Sequence, residues 1–412
     1  MKNLKKILAV VLAMVLMAAM SVTMFAVNTN GQLNDDNGIN SEDTTLSIAK
    51  QIIFVNDEET AVREPNITYT YTIATTDPGS ATITDKNEIV GSVKAGPLAA
   101  VTGSATATTS TIVFADTATQ NATAAGTASA AKYATFTFDN SKFSAAGIYR
   151  YKITESASPA KATVGVEESG TYNAVRYLDV YVQYTDNTHT ALKVYGYSLF
   201  EGADNTSIES DALTGGDVSM KSTGYVNTGS DGTLSDVDVY KTENLYIKKT
   251  TTGVLADLNN EFPITVTLTK PQGVTADVKF DVTGMAAINA WGAATGAVKN
   301  GTEIAIKGIP AGATASLVEK NNTVDFYKVK AGKTAGAADL LAEAIVNPDA
   351  NSGATTALTL ANNKDGASRI EITNTLDAIS PTGVIVRFAP FAIILLAGVA
   401  LFVIARRRRV ED

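Results

Sequence analysis

The chain has no cysteine and a single histidine among 412 residues. The lack of cysteine excludes a disulfide framework and a thiolate metal site, so any covalent tie within the fold needs other chemistry. One imidazole cannot build a histidine-rich metal site, and no Cys or His stands where it could activate a serine. His189 lies in Asp186-Asn187-Thr188-His189-Thr190, a turn-like stretch, and reads as a solvated loop residue. Helix-periodic segments are scarce as well. The formal net charge is −9, and residues 27–382 hold no basic patch, which makes a poor nucleic-acid binder. No cofactor and no metal are expected. Asp35-Asp36-Asn37-Gly38 lacks the bidentate Glu that a calcium loop requires.

Alternation with period two is plentiful, in runs rich in β-branched and aromatic residues. Leu46-Ser47-Ile48-Ala49-Lys50-Gln51-Ile52 and Ile67-Thr68-Tyr69-Thr70-Tyr71-Thr72-Ile73 are the clearest. Further strands are expected over 133–138, 147–154, 176–184, 192–199, 245–249, 262–269 and 370–374. A stretch rich in Ala, Thr and Gly, residues 96–131, reads as a long surface loop with one strand over 109–114. A second loop is expected over 201–219, and residues 339–345 read as a short helix. The expected fold class is all-β.

The two ends carry targeting signals. Lys2, Lys5 and Lys6 precede an apolar stretch from Ile7 to Ala19, and Met24-Phe25-Ala26 offers a small residue for cleavage. These are the three regions of a secretory signal peptide, expected over 1–26, although an uncleaved helix satisfies the same pattern. A flexible leader is expected over 27–44. At the other end, Ser380-Pro381-Thr382-Gly383 precedes an apolar run from Phe388 to Ala405 and the cluster Arg406-Arg407-Arg408-Arg409. Such a run stands at the lower edge of the roughly 20 residues that span a bilayer, and the arginines favour a cytoplasmic end. A plain C-terminal membrane anchor fits these residues. So does a sorting signal over 379–412 with a transmembrane segment at 384–405. Removing both ends deepens the acid excess, because they carry three lysines and five arginines.

The interior repeats weakly. Leu46-x-Ile48-x-Lys50 matches Leu245-x-Ile247-x-Lys249. The strand ending at Glu155 matches the strand ending at Glu319. Tyr225-Val226-Asn227-Thr228 matches Ile372-Thr373-Asn374-Thr375. Each half thus carries Lys in its first strand, Glu in a middle strand and Asn in its last. If first and last strands pair with these side chains inward, burial disfavours the ammonium and favours a neutral amine nucleophile. A buried Glu is then expected to sit protonated, polarise the amide and relay protons, with proximity supplying much of the rate. The product is a Lys–Asn amide and ammonia. Taken singly, each Lys and Glu also fits an edge or solvated position.

These segments resemble the isopeptide-linked pilins of Gram-positive bacteria. The match rests on L-x-I-x-K at the start of each half, Gly147-Ile148-Tyr149-Arg150-Tyr151-Lys152-Ile153-Thr154-Glu155 in the middle, and the turn Lys307-Gly308-Ile309-Pro310-Ala311-Gly312 before Glu319. The resemblance covers most of residues 45–412 apart from the Ala/Thr-rich insert. It implies two tandem immunoglobulin-like β-sandwiches, residues 45–243 and 244–378. It implies bonds Lys50–Asn227, with Glu155 catalytic, and Lys249–Asn374, with Glu319 catalytic. Asp238 competes with Asn227, because the acceptor lies close to the next Lys in that family, and an Asp would react by losing water. Lys248 is a weaker rival to Lys249, on the opposite face of the alternation.

The tail resembles the LPxTG family of sortase signals, with Ser380 where that family has Leu and nothing matching the residue between Pro and Thr. The looser xPTG form is similar to signals of many clostridial surface proteins. The resemblance implies cleavage between Thr382 and Gly383. Val237-Asp238-Val239-Tyr240-Lys241-Thr242-Glu243-Asn244 is similar to the pilin motif V-x-V-Y-P-K-N without its Pro, which makes Lys241 a candidate acceptor for the next subunit. A linker with a solvated Lys fits equally. The expectation is a surface-exposed fimbrial shaft subunit, a substrate of sortase rather than an enzyme, in contact with neighbouring subunits or peptidoglycan and transiently with the membrane. The alternative is a monomeric wall-anchored adhesin. A secreted hydrolase has no nucleophile or paired-carboxylate motif behind it.

Overall fold

The computed structural model describes residues 45–377 except 59, 86–87, 171, 186–187, 202, 206, 210–223, 226–236, 287, 334–338 and 362–367, together with 393–401. The predicted leader segments, Asn227, Thr382 and Gly383 lie outside the described residues. Strands dominate what is described, as the alternating Thr, Val, Ile and Tyr require.

The first unit opens with β1 (Thr45–Lys50) and β2 (Ile52–Val55), one run interrupted at Gln51. It continues through β3 (Ile67–Thr75), β4 (Thr109–Phe114), β5 (Lys132–Phe138), β6 (Gly147–Ser158), β7 (Val175–Tyr184) and β8 (Leu192–Phe200). Strands β8, β7, β6, β3 and β4 form one sheet in that order; β1 and β5 belong to another. In β3, residues Ile67, Tyr69, Tyr71 and Ile73 are buried while their neighbours are not, the half-buried pattern of a sheet with one wet face. They share a core with Leu46 and Ile48 of β1 and Phe136 and Phe138 of β5, so the two sheets face one another.

The second unit is built from β9 (Asp238–Thr252), β10 (Phe262–Thr269), β11 (Gly292–Val298), β12 (Glu303–Pro310), β13 (Thr314–Glu319), β14 (Tyr327–Gly332), β15 (Asp339–Val346) and β16 (Arg369–Thr375). Strands β9, β16, β14 and β15 form one sheet, with β12 also on β9, and β11, β10 and β13 form the other. Leu245, Ile247, Ile304, Ile370 and Ile372 meet Phe262, Ile264, Val266 and Leu317 in a second core.

Three expectations change. Residues 339–345 are not helical: Asp339–Val346 pairs antiparallel with β14 as an edge strand. Leu, Ala and Glu favour a helix locally, but pairing and the burial of Leu340 and Val346 decide otherwise. The stretch 96–131 is no loop; besides β4 it supplies Val101–Gly103, Thr119–Ala122 and Thr127–Ala128, each paired. Within 201–219, Ile208–Glu209 pairs with Thr82–Asp85.

The boundary placed at 243/244 falls inside β9. This 15-residue strand pairs parallel with β2 through Asp238–Lys241 and parallel with β16 through Tyr246–Thr252. One strand therefore serves both units. Around it the units are joined by polar contacts: Asn244 Oδ1 accepts from Asn56 Nδ2 at 3.2 Å and from Gly308 N at 3.1 Å, and Arg63 pairs with Asp281 at 2.6 Å. Among the described residues no helix is long and apolar enough to cross a membrane; residues 393–401 are helical.

Candidate functional site

Two buried clusters occupy equivalent places in the two units. In the second, Lys249 of β9 and Asn374 of β16 lie on adjacent parallel strands. Lys249 sits opposite Ile372, so Asn374 stands opposite Thr251, two residues past the lysine and on the same face. Glu319 comes from β13 in the facing sheet. Lys249 Nζ donates to Glu319 Oε2 at 2.6 Å, and Asn374 Nδ2 donates to Glu319 Oε1 at 2.6 Å. All three side chains are buried, and Phe262 lies under the ammonium at 4.3 Å from its ring centre. Burial pulls the Lys249 pKa down to about 8 against the opposing charge of Glu319. Asn374 Oδ1 has no hydrogen-bond partner. A buried amide oxygen left without a donor is an uncommon arrangement, and it leaves that carbonyl free for polarisation after an amide flip.

In the first unit Lys50 ends β1, and Asp238 begins β9. Asp238 stands opposite Ile52 on a parallel strand, two residues past Lys50. This is the register that Asn374 holds relative to Lys249. Lys50 Nζ donates to Asp238 Oδ2 at 2.7 Å and to Glu155 Oε1 at 3.3 Å. Glu155 comes from β6 in the facing sheet, as Glu319 does from β13. Both Lys50 and Asp238 are fully buried. The structure thus brings together Lys50, Glu155 and Asp238. Tyr225 pairs with Lys50 by its backbone, and the place opposite Ile52, two residues farther along, is held by Asp238.

Four further residues complete this cluster. Tyr69 donates to Asp238 Oδ2 at 2.7 Å and Tyr71 to Glu155 Oε2 at 2.8 Å. Tyr172 donates to Glu155 and accepts from Lys50 at 2.9 Å. Lys161, in the short 3-10 helix Lys161–Val164, reaches in to pair with Glu155 Oε1 at 2.9 Å and Asp238 Oδ1 at 3.0 Å. Burial and the nearby carboxylates push all three phenols up, so they remain donors. Burial alone would raise the Glu155 carboxyl, but Lys50, Lys161 and the Tyr172 bond outweigh it and hold it below the usual range. From sequence, a buried Glu is expected to be protonated; here Glu155 is ionised because two ammonium groups face it. Tyr69 and Tyr71 were legible as inward positions of β3. Nothing in the local sequence marks Lys161 or Tyr172.

Lys241 lies in β9 with its side chain half exposed, 3.2 Å from Glu167. Its backbone oxygen accepts from Ala311 N, which puts it at the waist between the units rather than in an unstructured linker. Lys248 is partly exposed, unlike its neighbour Lys249. His189 is exposed in a loop.

A family model described as a domain of unknown function (DUF7601) matches residues 243–374. The match begins within β9 and ends at Asn374. No curated protein matches the chain in sequence. Among solved structures, a major pilin protein from Streptococcus pyogenes is similar at 19% identity, covering 81% of this chain and 99% of that one, with a TM-score of 0.39. A second major pilin of that organism is 14% identical over 80% of this chain and 98% of its own, with a TM-score of 0.38. A pilus-presented adhesin is 15% identical over 50% of this chain and 38% of its own, with a TM-score of 0.24.

Proposed function

We propose that the chain is a structural protein of the bacterial surface, a fimbrial shaft subunit, whose two immunoglobulin-like units each close themselves with an isopeptide bond. The observation that carries this reading is the repeated register. In both units a buried Lys stands two residues from an Asp or Asn acceptor on a parallel strand, with a Glu from the facing sheet touching the pair. The bonds are Lys50–Asp238 and Lys249–Asn374. Asp238 replaces the Asn227 expected from local sequence.

The chemistry balances without a cofactor. At the second site Lys249 passes a proton to Glu319, and the neutral amine attacks the Asn374 carbonyl carbon. The C–N bond to Nδ2 breaks as that nitrogen takes up both protons lost by the lysine nitrogen, relayed by Glu319, so it leaves as ammonium and Glu319 ends as a carboxylate. At the first site the Lys50 ammonium and Asp238 carboxylate condense. Two protons of the ammonium and one carboxylate oxygen leave as water, with Glu155 carrying a proton between them. Each reaction occurs once per chain. The roles of sortase, of Thr382 as donor and of the membrane segment as a temporary anchor follow from the tail sequence. Lys241 is the candidate acceptor for a neighbouring subunit, supported by its exposed side chain.

Mass spectrometry tests the reading. The chain should weigh less than its sequence by one water and one ammonia. Loss of two ammonias would return the first acceptor to Asn227, and a full mass would sink the proposal. On producing cells, ladders that survive boiling in detergent should vanish in Lys241→Ala; ladders that persist would move the intersubunit link to another lysine.

A further inference from the structure

The two sites differ in one group that the chemistry must account for. Asn374 is a neutral acceptor, whereas Asp238 is a carboxylate beside a second carboxylate, Glu155. When Lys249 hands its proton to Glu319, the second site holds no net charge on any of its three groups. When Lys50 hands its proton to Glu155, the first site still contains the Asp238 charge, now buried with its partner ammonium gone. An unpaired buried carboxylate is strongly disfavoured, and it is a poor electrophile besides.

Lys161 stands where that charge must be met. Its Nζ lies 3.0 Å from Asp238 Oδ1, the oxygen that Lys50 does not touch, and 2.9 Å from Glu155 Oε1. It also pairs with Glu168 at 2.9 Å and lies 3.7 Å from the centre of the Tyr172 ring. Its side chain is only 13% exposed. The groups facing it are Glu155, Asp238, Glu168, Tyr69 and Tyr172, and no ammonium stands in the corresponding place beside Glu319 and Asn374 among their described contacts.

We propose that Lys161 is a positioning residue for the Lys50–Asp238 condensation, supplying the second positive charge that a carboxylate acceptor needs and an amide acceptor does not. It keeps Asp238 neutralised while Lys50 is an uncharged amine, and it draws electrons from the carbonyl under attack. After water leaves, Lys161 and Glu155 remain as a balanced pair. This inference rests on the isopeptide reading above.

Peptide mapping of the full chain tests it by measuring the fraction of molecules in which the peptides holding Lys50 and Asp238 are joined. The wild-type chain should be joined nearly completely. Lys161→Met should lower the joined fraction at least tenfold, and Lys161→Arg should restore most of it. The deciding variant is Lys161→Met combined with Asp238→Asn, which should join again, now by loss of ammonia. A purely structural role for Lys161 would leave that double variant unjoined, and this outcome overturns the proposal. So does Lys161→Met joining as fully as wild type, or a wild-type link running from Lys161 itself. A wild-type chain with no Lys50–Asp238 link overturns the isopeptide reading at this site and this inference with it. The Lys249–Asn374 link in the same digests reports separately on whether the second unit has folded.

Discussion

The two clusters share a register and differ in almost everything around it. The second is spare: one Lys, one Glu and one Asn over the face of Phe262, with an amide oxygen left unpaired. The first is crowded, with two lysines, two carboxylates and three tyrosines. Backbone pairing sets the two-residue offset between each lysine and its Asp or Asn, so that offset is common to both. The surroundings follow from the charge of the acceptor. A neutral amide tolerates an apolar pocket that lowers the amine pKa. A carboxylate instead demands counter-charge and donors, and these keep Glu155 ionised.

Removing the relay carboxylates breaks the comparison most severely. Glu319→Ala should abolish only the ammonia loss, and Glu155→Ala only the water loss. Each loop closed by these bonds is longer than about 100 residues, for which cross-linking is worth about 5 kcal/mol in the chain-entropy model. Thermal unfolding followed by calorimetry should show a separate drop for each variant, and a shared drop would mean that the units do not close independently. Asn374→Asp sharpens the comparison from the other side. It places a carboxylate beside Glu319 with only Lys249 to balance both, so the second link should form at least several-fold more slowly, by water loss. A rate equal to wild type in refolding followed by mass spectrometry would show that charge balance does not govern these sites.

The smallest effect is in pH. With the Lys249 pKa lowered to about 8, the neutral amine gains population as pH rises toward and through that value. Ammonia release on refolding should therefore quicken from pH 6 to about 8. The same depressed pKa means that the unreacted fold holds fewer protons here than the unfolded chain between about 8 and 10.5, so its stability rises with pH across that window. A flat rate from pH 6 to 9 would mean that amine ionisation is not limiting.

Much of this was readable from period-two alternation. It sets Lys50, Lys249, Glu155 and Glu319 in phase with the apolar residues of their strands, the position from which an inward side chain follows if that face is the core. What it could not supply was pairing between distant segments. Tyr225-Val226-Asn227-Thr228 resembles the last strand of the second unit by local sequence, yet the parallel register against Ile52 belongs to Asp238. Lys161 enters from a short helical turn, where no periodicity says which way a side chain points. The helix expected over 339–345 failed for a related reason: good helix formers gave way to an open sheet edge on β14.

Strand β9 has a mechanical consequence. It carries Asp238 near its start, then Lys241, then Lys249, which faces β16. In a shaft joined at Lys241 and cross-linked as proposed, a pull toward the C-terminal end would run along a few residues of β9, cross the Lys249–Asn374 link and leave through the end of β16. The whole first unit hangs beside that route and feels no tension, and the polypeptide between Lys249 and Asn374 is spared as well. Such a fibre would stretch by little more than the slack of one strand, and a Lys50–Asp238 bond would guard its unit against heat and proteases rather than against force.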